Sequence, residues 1–387
     1  MSRIGLFTYS TKPRGSVVHA ASLAEALTRA GQQVTLFALQ RGEQGFFREL
    51  ACDVCLLPSA EAPADLDALI RQRIAELVSG LERENPALDV LHAQDCLAAS
   101  ALLEARTRPG LALAQSPLVR TVHHVERFES PYLLECQRRS IQHADYVSSV
   151  SEATRQAVRN ELGRESQRVY NGVDTARFVP AAPSARAALR ERLGLAASAF
   201  VVLSVGGVEE RKNSLRCLGA FAELATEQPQ ALWVVIGGAS ILDHRAYQER
   251  FDQQLAGLAP ATRQRIRRLG QVSETELCSW YAVADVLLCP SEQEGWGLCV
   301  MEAMAAELPV VVSQQAPFTE YVSDREGLLV DPTDVRAIAH ALGQLAAAPS
   351  WRAQLGAAGR RTAERFSWTR AAELHLELYQ RVRGARR

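Results

Sequence analysis

Two glutamates on either side of a glycine-rich turn carry the strongest chemical signal in the sequence. Glu294 comes directly before Gly295-Trp296-Gly297, and Glu302 follows about two helical turns later. The apolar run 286–289 predicts a buried strand before the turn, and apolar residues at helical spacing predict a helix after it, ended by Pro309. A helix N-terminus offers unpaired N–H groups and a partial positive charge, so the turn suits an anionic ligand such as a phosphate.

The two carboxylates indicate what else such a ligand carries. Carboxylate oxygens accept hydrogen bonds from hydroxyl groups, so Glu294 and Glu302 could hold two sugar rings, one a hexose and the other a ribose. A glycine-rich turn is also common in α/β proteins, and glutamates on helices are usually solvated. A glycosidase pair is a further alternative, but both glutamates belong to one loop and helix and need not flank a scissile bond.

Lysine is almost absent from the chain, which singles out the two lysines that remain. Among the 43 basic residues only Lys12 and Lys212 are lysines. Lys212 lies between a predicted strand at 200–205 and a predicted helix near 215–226. Its compact point charge suits a phosphate, whereas Lys12 is also compatible with a solvated turn.

Strand and helix signals alternate along the chain and predict an α/β protein. A chain of 387 residues is too long for one compact core, so we expect two domains. The stretch Pro180–Ser184, rich in Ala and Pro, predicts a linker between an N-terminal domain at 1–180 and a C-terminal domain at 181–367. Each domain has the alternation of a doubly wound sheet. The amphipathic segment 368–387 predicts a C-terminal helix that packs back toward the first domain.

Composition narrows the class of partner. A net charge of −1 does not suggest a nucleic-acid partner, and none is expected. The chain opens on a strand-like run instead of a signal peptide, and no apolar run reaches the ~20 residues of a membrane span. We therefore expect a cytoplasmic protein without a transmembrane segment, and the basic tail 381–387 leaves a transient membrane contact open. The cysteines lie mostly in apolar runs, as reduced thiols do, and Cys52 and Cys55 lack the partners of a metal site.

Four short motifs occur in an order and spacing that point to one family. They are Pro13–Ser16, Asn171–Asp174 with Phe178, Val205-Gly206 with Lys212, and E-G-W-G-L-C-V-M-E from Glu294 to Glu302. The set resembles the retaining glycosyltransferases of family 4, the glycosyl transferases of group 1. The resemblance implies a GT-B fold, with two Rossmann-like domains facing each other across a cleft. It also implies a sugar nucleotide held by the second domain, an acceptor held by the first, and no metal ion or other cofactor.

The resemblance assigns roles to individual residues. Lys212 would contact the donor diphosphate with the assistance of Arg211, and His123 would lie where sugar and acceptor meet. Glu294 would bind the donor sugar, and Glu302 the ribose. The other residues implied at the donor are Gly15, Ser16, Gly295, Trp296, Gly297 and Leu298. For Trp296, packing in the wall of the crevice is the favoured interpretation.

Three positions depart from the family pattern. Gly207 stands where an arginine usually precedes the lysine by five residues, so Arg211 is expected to supply the missing guanidinium. Ser16 replaces the second glycine of the first loop. Glu307 replaces a glycine before Pro309, at a helix end away from the chemistry.

The sequence therefore predicts a retaining, metal-independent hexosyltransferase. It would use a UDP-, GDP- or ADP-linked sugar and an acceptor that is a small molecule, a lipid or a glycan. One alternative is a GT-B sugar-nucleotide epimerase, and another is a protein that binds a nucleotide sugar without turnover. A nicotinamide dehydrogenase is less favoured because the first loop lacks the glycines of the dinucleotide fingerprint.

Overall fold

A computed structural model describes residues 1–42, 45–238 and 245–384. The chain divides into two compact units, which are described separately below. Unit 1 comprises Met1–Gly172 together with Trp368–Arg387, and unit 2 comprises Val173–Ser367. The sequence placed the corresponding boundaries after residues 180 and 367.

Unit 1 is built on a parallel sheet. Its strands are β1 (Arg3–Thr8), β2 (Gln33–Arg41), β3 (Asp53–Ser59), β4 (Val90–Ala93), β5 (Leu118–Val122), β6 (Tyr146–Ser149) and β7 (Gln167–Arg168). Its helices before the linker are α1 (Gly15–Arg29), α2 (Leu66–Glu84), α3 (Cys96–Ala105), α4 (Pro131–Gln142) and α5 (Glu152–Leu162). The strand order is β3-β2-β1-β4-β5-β6-β7. The winding reverses between β1 and β4, and ligands of such sheets bind at the carboxyl ends of the strands beside that reversal.

Unit 2 repeats the plan with a smaller parallel sheet. Its strands are β8 (Phe200–Val205), β9 (Ala231–Ile236), β10 (Ile266–Gly270), β11 (Val286–Cys289), β12 (Val310–Ser313) and β13 (Gly327–Val330). Its helices are α6 (Pro183–Arg192), α7 (Ser214–Glu227), α8 (Arg245–Ala256), α9 (Pro260–Arg263), α10 (Glu274–Val283), α11 (Leu298–Ala305), α12 (Val335–Ala347) and α13 (Pro349–Ala363). The order β10-β9-β8-β11-β12-β13 puts the reversal between β8 and β11. The loops that follow these two strands carry Lys212 and Glu294.

The last helix, α14 (Trp368–Gly384), returns to unit 1 and packs against α1. The indole of Trp368 lies with its ring centroid 5.3 Å from that of His19 on α1. The Tyr379 hydroxyl lies 2.6 Å from Nδ1 of His92 on β4. The amphipathic pattern at 368–387 arises because one side of α14 covers these buried rings.

Apolar strands and large apolar side chains form the core of each unit. β8 and β12 are almost continuous apolar runs, as expected for parallel strands with helices on both faces. In unit 2 the core is completed by large side chains such as Phe221, Trp233 and Phe251. In unit 1 α2 begins at its Asp65 cap, whose carboxylate accepts a hydrogen bond from the Ala68 N–H.

Two details of the predicted elements are wrong. The linker expected through Ser184 ends earlier, because Pro183 begins α6; proline is favoured in a first helical turn, where its missing N–H has no intrahelical partner. The apolar pattern at 118–125 predicts a longer strand than the structure has, since β5 ends at Val122. His123 therefore lies in the loop beyond the sheet.

Among residues 1–42, 45–238 and 245–384, no helix combines the length and the apolar composition that crossing a membrane requires.

Candidate functional site

The centre of the candidate site in unit 2 is an ion pair between Lys212 and Glu294. Lys212 lies in the loop after β8 and Glu294 in the loop after β11, so the topology brings them to the same edge of the sheet. The Nζ atom contacts Oε2 of Glu294, and the two side chains are only 12% and 13% exposed. Burial lowers the pKa of the Lys212 ammonium, but Glu294 and the nearby thiols raise it, and the net shift is upward. Lys212 is therefore a permanent positive charge.

Arg211 adds a second cation beside this pair. Its Nε lies 3.0 Å from Oε2 of Glu209, and its Nη1 lies 3.5 Å from Oε2 of Glu294. The Arg211 carbonyl also accepts a hydrogen bond of 2.9 Å from the Glu292 N–H. These contacts fasten the loop after β8 to the loop after β11.

The start of α11 lies in the same loop as Glu294. Gly297 caps the helix with φ of +90°, a conformation that favours glycine, and a Cβ there would lie 2.8 Å from the Phe318 ring. Tyr321 donates a hydrogen bond of 2.6 Å to the Trp296 carbonyl and packs its ring 4.7 Å from the indole, centroid to centroid. Trp296 is almost fully buried. Gly295, Gly297 and Leu298 thus remain candidates through their backbone, and Trp296 fixes the turn by packing.

Glu302 lies one turn into α11 and is half-buried. The Tyr281 hydroxyl donates a hydrogen bond of 2.7 Å to its Oε2. Burial raises the pKa of the Glu302 carboxyl to about 7, against the opposing influence of the Tyr281 hydrogen bond and of Lys212. The carboxyl group therefore changes charge near neutral pH.

Two thiols lie beneath the site. Cys289 ends β11 and Cys299 begins α11, with their Sγ atoms 3.9 Å apart. The hydrogen bond from Cys299 lowers the pKa of Cys289 to about 7, and Lys212 acts in the same direction against the effect of burial. Both cysteines are free thiols, as the sequence predicts.

Gly15, Ser16 and His123 belong to unit 1. Gly15 and Ser16 are the first two residues of α1, where backbone N–H groups have no intrahelical partner. The His123 ring has Nε2 at 3.3 Å from Oε1 of Gln94, and burial keeps its pKa well below the usual range. His123 is thus a neutral imidazole at the carboxyl edge of the sheet.

The half-buried His123 packs with three buried histidines, His19, His92 and His375. These four rings are here called the histidine cluster. The His19 ring centroid lies 4.8 Å from that of His123, and the His92 centroid lies 5.3 Å from that of His375. His19 pairs with Oδ1 of Asn171 at 2.9 Å. Nε2 of His92 lies 2.6 Å from the Thr121 hydroxyl. Burial lowers the pKa of His19 to about 3 and that of His375 to about 4.

The predicted site residues thus form two groups. Unit 2 brings together Lys212, Arg211, Glu294, the start of α11 and Glu302. Unit 1 holds Gly15, Ser16 and His123. Within the described residues, no three His, Cys, Asp or Glu side chains are arranged to hold a metal ion.

Comparison with known proteins gives both units a family. The model for "Glycosyltransferase Family 4" matches residues 13–177, and that for "Glycosyl transferases group 1" matches residues 185–362. A D-inositol 3-phosphate glycosyltransferase from a Nocardioides species is 30% identical over 353 residues, which cover 85% of this chain and 74% of the relative. The chain belongs to the group 1 glycosyltransferases. The predicted family is therefore confirmed, and so is the general enzyme class, a glycosyltransferase.

Two further similarities extend the comparison. A GDP-mannose-dependent alpha-(1-6)-phosphatidylinositol monomannoside mannosyltransferase from Mycolicibacterium smegmatis is 33% identical over 276 residues, covering 68% of this chain and 69% of that protein. The crystal structure of Anabaena HepE in complex with UDP and glucose has a TM-score of 0.80 at 21% identity, covering 98% of this chain and 100% of the other. The structural likeness confirms the GT-B class of fold, with parallel sheets and alternating helices.

The departure of this glycosyltransferase from its family at Gly207 has a steric basis. Gly207 has φ of +77°, and a Cβ there would lie 2.9 Å from the Gly238 carbonyl oxygen. The backbones of Gly207 and Gly237 lie even closer together, because a Cβ on Gly237 would lie 2.3 Å from the Gly207 nitrogen. An arginine at 207 would require this pair of loops to separate. Arg211, which reaches Glu294 from the same loop, is the nearest guanidinium in sequence to take its place.

Glu307, another departure, has a compensating neighbour. It follows α11 with φ of +57°, which costs a side-chain-bearing residue roughly 1 kcal/mol. Gly356 of α13 leaves room for its carbonyl group, because a Cβ there would lie 2.0 Å from the Glu307 oxygen. The helix end is thus built around this residue, away from Lys212.

Three residues that support the site were not predicted from the sequence. Asn213 is buried with φ of +61°, and its Nδ2 donates to the carbonyls of Pro290 at 3.1 Å and Pro332 at 2.5 Å. It holds the loop of Lys212 against the end of β11. Tyr281 and Tyr321 orient Glu302 and the turn at Trp296. An Asn directly before a predicted helix was the only available signal, because Asn tolerates the left-handed conformation; nothing local marks the two tyrosines.

Proposed function

We propose that this glycosyltransferase moves a hexosyl group from a nucleotide-diphospho-sugar to an acceptor with retention of anomeric configuration and without a metal ion. The observation that carries the proposal is the largely buried pair of Lys212 and Glu294 at the winding reversal of unit 2, beside the start of α11. That arrangement offers cations and N–H groups for a diphosphate and a carboxylate for hydroxyl groups.

The charges match the reaction. Breaking the anomeric bond builds positive charge on the sugar and negative charge on the departing diphosphate. Lys212, Arg211 and the N–H groups at Gly295 to Leu298 would stabilise the negative charge as it develops. Glu294, which pairs with Lys212, would accept hydrogen bonds from the hydroxyls of the donor sugar, and Lys212 would bind the phosphate.

Glu302 is assigned to the ribose of the donor. An ionised carboxylate accepts hydrogen bonds from two hydroxyls, and Tyr281 holds one of its oxygens. Because its pKa is raised to about 7, the nucleotide is expected to bind more tightly as the pH rises through that value.

Roles are also proposed for residues of unit 1. The N–H groups of Gly15 and Ser16 at the start of α1 suit the diphosphate. His123 is neutral, so it would hydrogen bond a sugar or acceptor hydroxyl without adding charge. For retention, the acceptor would attack from the face that the phosphate leaves, and a phosphate oxygen would take its proton.

The relatives supply the first substrates for a test. Purified protein would be incubated with UDP-, GDP- or ADP-linked hexoses and with inositol 3-phosphate or phosphatidylinositol monomannoside, in buffer with and without EDTA. NMR would read the anomeric configuration of the product. We expect the configuration of the donor to be kept and EDTA to have no effect. An inverted product, or a reaction abolished by EDTA, would contradict the mechanism.

The same experiment separates the alternatives. A sugar-nucleotide epimerase would yield an epimerised donor without any acceptor. A protein that only binds the donor would release no nucleoside diphosphate when acceptor is added.

A further inference from the structure

A cavity of about 510 Å³ lies along α13 in unit 2, and the site described above does not use it. One wall is the loop Asp324–Glu326, which directly precedes β13. Lys212 and Glu294 instead follow strands of the same parallel sheet. The cavity therefore lies toward the amino ends of the strands, opposite the donor edge. Its volume falls within the range of small-molecule sites.

Three arginines line the cavity without a carboxylate partner. Arg325, Arg361 and Arg365 are all exposed, and none forms an ion pair within 4.0 Å with any residue in the described part of the chain. Most other arginines of unit 2 are engaged, as Arg186 and Arg190 are with Asp285. Guanidinium groups form two parallel hydrogen bonds to a carboxylate or a phosphate, so these three suit an acidic ligand.

The two acidic residues of the wall differ in availability. Glu326 is occupied, since its Oε2 accepts from the Ser323 hydroxyl at 2.6 Å and its Oε1 from the Thr362 hydroxyl at 3.2 Å. Asp324 is exposed and can accept hydrogen bonds from a ligand. A polyphosphate or a nucleic acid would be repelled by these carboxylates, whereas a ligand with few charges and many hydroxyls would not.

The remaining lining residues complete this chemistry. Trp351, Gln354, Ala358 and Arg361 recur every three or four residues, so they lie on one side of α13. From Trp351 to Arg361 the helix rises about 15 Å, and Arg365 lies just beyond the end of α13. The cavity thus offers an aromatic ring at one end, an amide group beyond it, and guanidinium groups at the other end, where Glu326 of the 324–326 loop contacts Thr362.

We propose that this cavity is a second ligand site, which binds an acidic saccharide, a chain of sugar rings that carries carboxylate or phosphate groups. A sugar ring would pack on Trp351, its hydroxyls would bond to Gln354 and Asp324, and its acidic group would bind Arg361 and Arg365. The site is independent of the donor site and of the proposed transfer reaction.

Calorimetric titration at low salt tests the proposal with three probes. Aldotetraouronate carries one carboxylate on a chain of four sugar rings, maltose 1-phosphate carries one phosphate on a chain of two rings, and maltotetraose is neutral. We expect at least one acidic probe to bind and maltotetraose not to bind. The acidic probe that binds identifies the charged group. Failure of both acidic probes, or equal binding of maltotetraose, would overturn the proposal.

A pair of charge reversals locates the binding. Arg361→Glu should weaken the acidic probe at least about tenfold, because it replaces attraction by repulsion. Arg336→Glu, on the exposed side of α12 and outside the cavity, should leave the affinity unchanged. Equal losses in both variants would show that the probe responds to overall charge and would refute the site. Arg365→Glu repeats the test if Arg361→Glu unfolds.

Lys212→Ala distinguishes this proposal from the proposed function. The acidic saccharide should bind to that variant as it does to the wild type, even if transfer is lost. Loss of saccharide binding in Lys212→Ala would mean that the probe occupies the donor site and would refute a second site.

Discussion

One cluster in each unit keeps ionisable side chains inside the protein, and the two clusters do so in opposite ways. In unit 2, Lys212 and Glu294 are charged and compensate each other at the edge of the sheet. In unit 1, burial lowers the pKa values of the histidine cluster, so its rings are neutral. No carboxylate of the described residues lies within ion-pair distance of those four rings.

This difference indicates what each region can do. An ion pair can exchange one partner for a ligand, so unit 2 is suited to an anionic diphosphate. A neutral cluster gains nothing from a charged ligand, and its rings mainly fix α14 and β4 to α1. Charge should therefore govern ligand binding at the Lys212–Glu294 pair, and protonation of the histidine cluster should lower folding stability.

Replacing the lysine should have the largest effect. We expect Lys212→Ala to lower the rate of transfer by about 10²–10³-fold, because a positioned group that stabilises developing negative charge contributes that much. Arg336→Ala, at an exposed position of α12, is the matched control. Initial rates at saturating donor give the comparison, with thermal melting to verify folding. A loss of less than about tenfold would show that Lys212 is not the main contact of the diphosphate.

The histidine cluster should make the protein sensitive to acid. An unfolded histidine titrates near 6.5, whereas His375 has a folded pKa of about 4. A lowered folded pKa gives stability that is present above 6.5 and lost as the pH falls toward 4, by about 3 kcal/mol at most. His375→Asn keeps a donor for the Ala371 carbonyl and should remove this part of the loss. Urea unfolding between pH 7 and 4 measures it.

The exposed His340→Asn serves as the control for that measurement. If His375→Asn and wild type lose stability in parallel on acidification, the ring is not the source of the acid sensitivity.

Glu302 should have the opposite effect on the pH dependence of stability: the free energy of unfolding should fall as the pH rises. Its folded pKa of about 7 exceeds the ordinary value of 4.5. The stability it contributes is fully present below 4.5 and is lost as the pH rises through 7, by about 2 kcal/mol after allowance for its partial exposure. Glu302→Gln should abolish this loss, and the exposed Glu223→Gln should not. Identical urea midpoints for Glu302→Gln and wild type at every pH would contradict the raised pKa.

The smallest effect concerns a single hydrogen bond of unit 1. Tyr379→Phe removes the hydroxyl that lies 2.6 Å from Nδ1 of His92 and should cost about 1 kcal/mol of stability. Nucleotide affinity should stay unchanged, because the bond belongs to the fold of unit 1. A weaker nucleotide affinity in Tyr379→Phe would contradict the inference that this hydrogen bond serves only the fold of unit 1.

The sequence predicted the parts of this picture that depend on local patterns. β8 matches the expected 200–205, because an unbroken apolar run allows little else. Lys212 and Glu294 were both found, and the alternation of strands and helices implied that they lie at one edge. The start of α6 at Pro183 was missed because composition alone suggested a linker.

Contacts between distant segments could not be predicted. Asn213 reaches Pro290 and Pro332, and no local pattern joins these positions. The steric reason for Gly207 depends on Gly238, in the loop after another strand. Such features depend on how the strands are ordered in the sheet, which a single sequence does not reveal.

The central claim is that the edge of unit 2 holds a nucleoside diphosphate through Lys212 without a metal ion. The most direct measurement is a thermal-shift titration of wild type and Lys212→Ala with UDP, GDP and ADP, in the presence and absence of EDTA. A ligand that binds only the folded state raises the melting temperature. We expect one of the three to stabilise the wild type, equally with EDTA, and to have no effect on Lys212→Ala. Stabilisation that EDTA abolishes, or that persists in Lys212→Ala, would contradict the account.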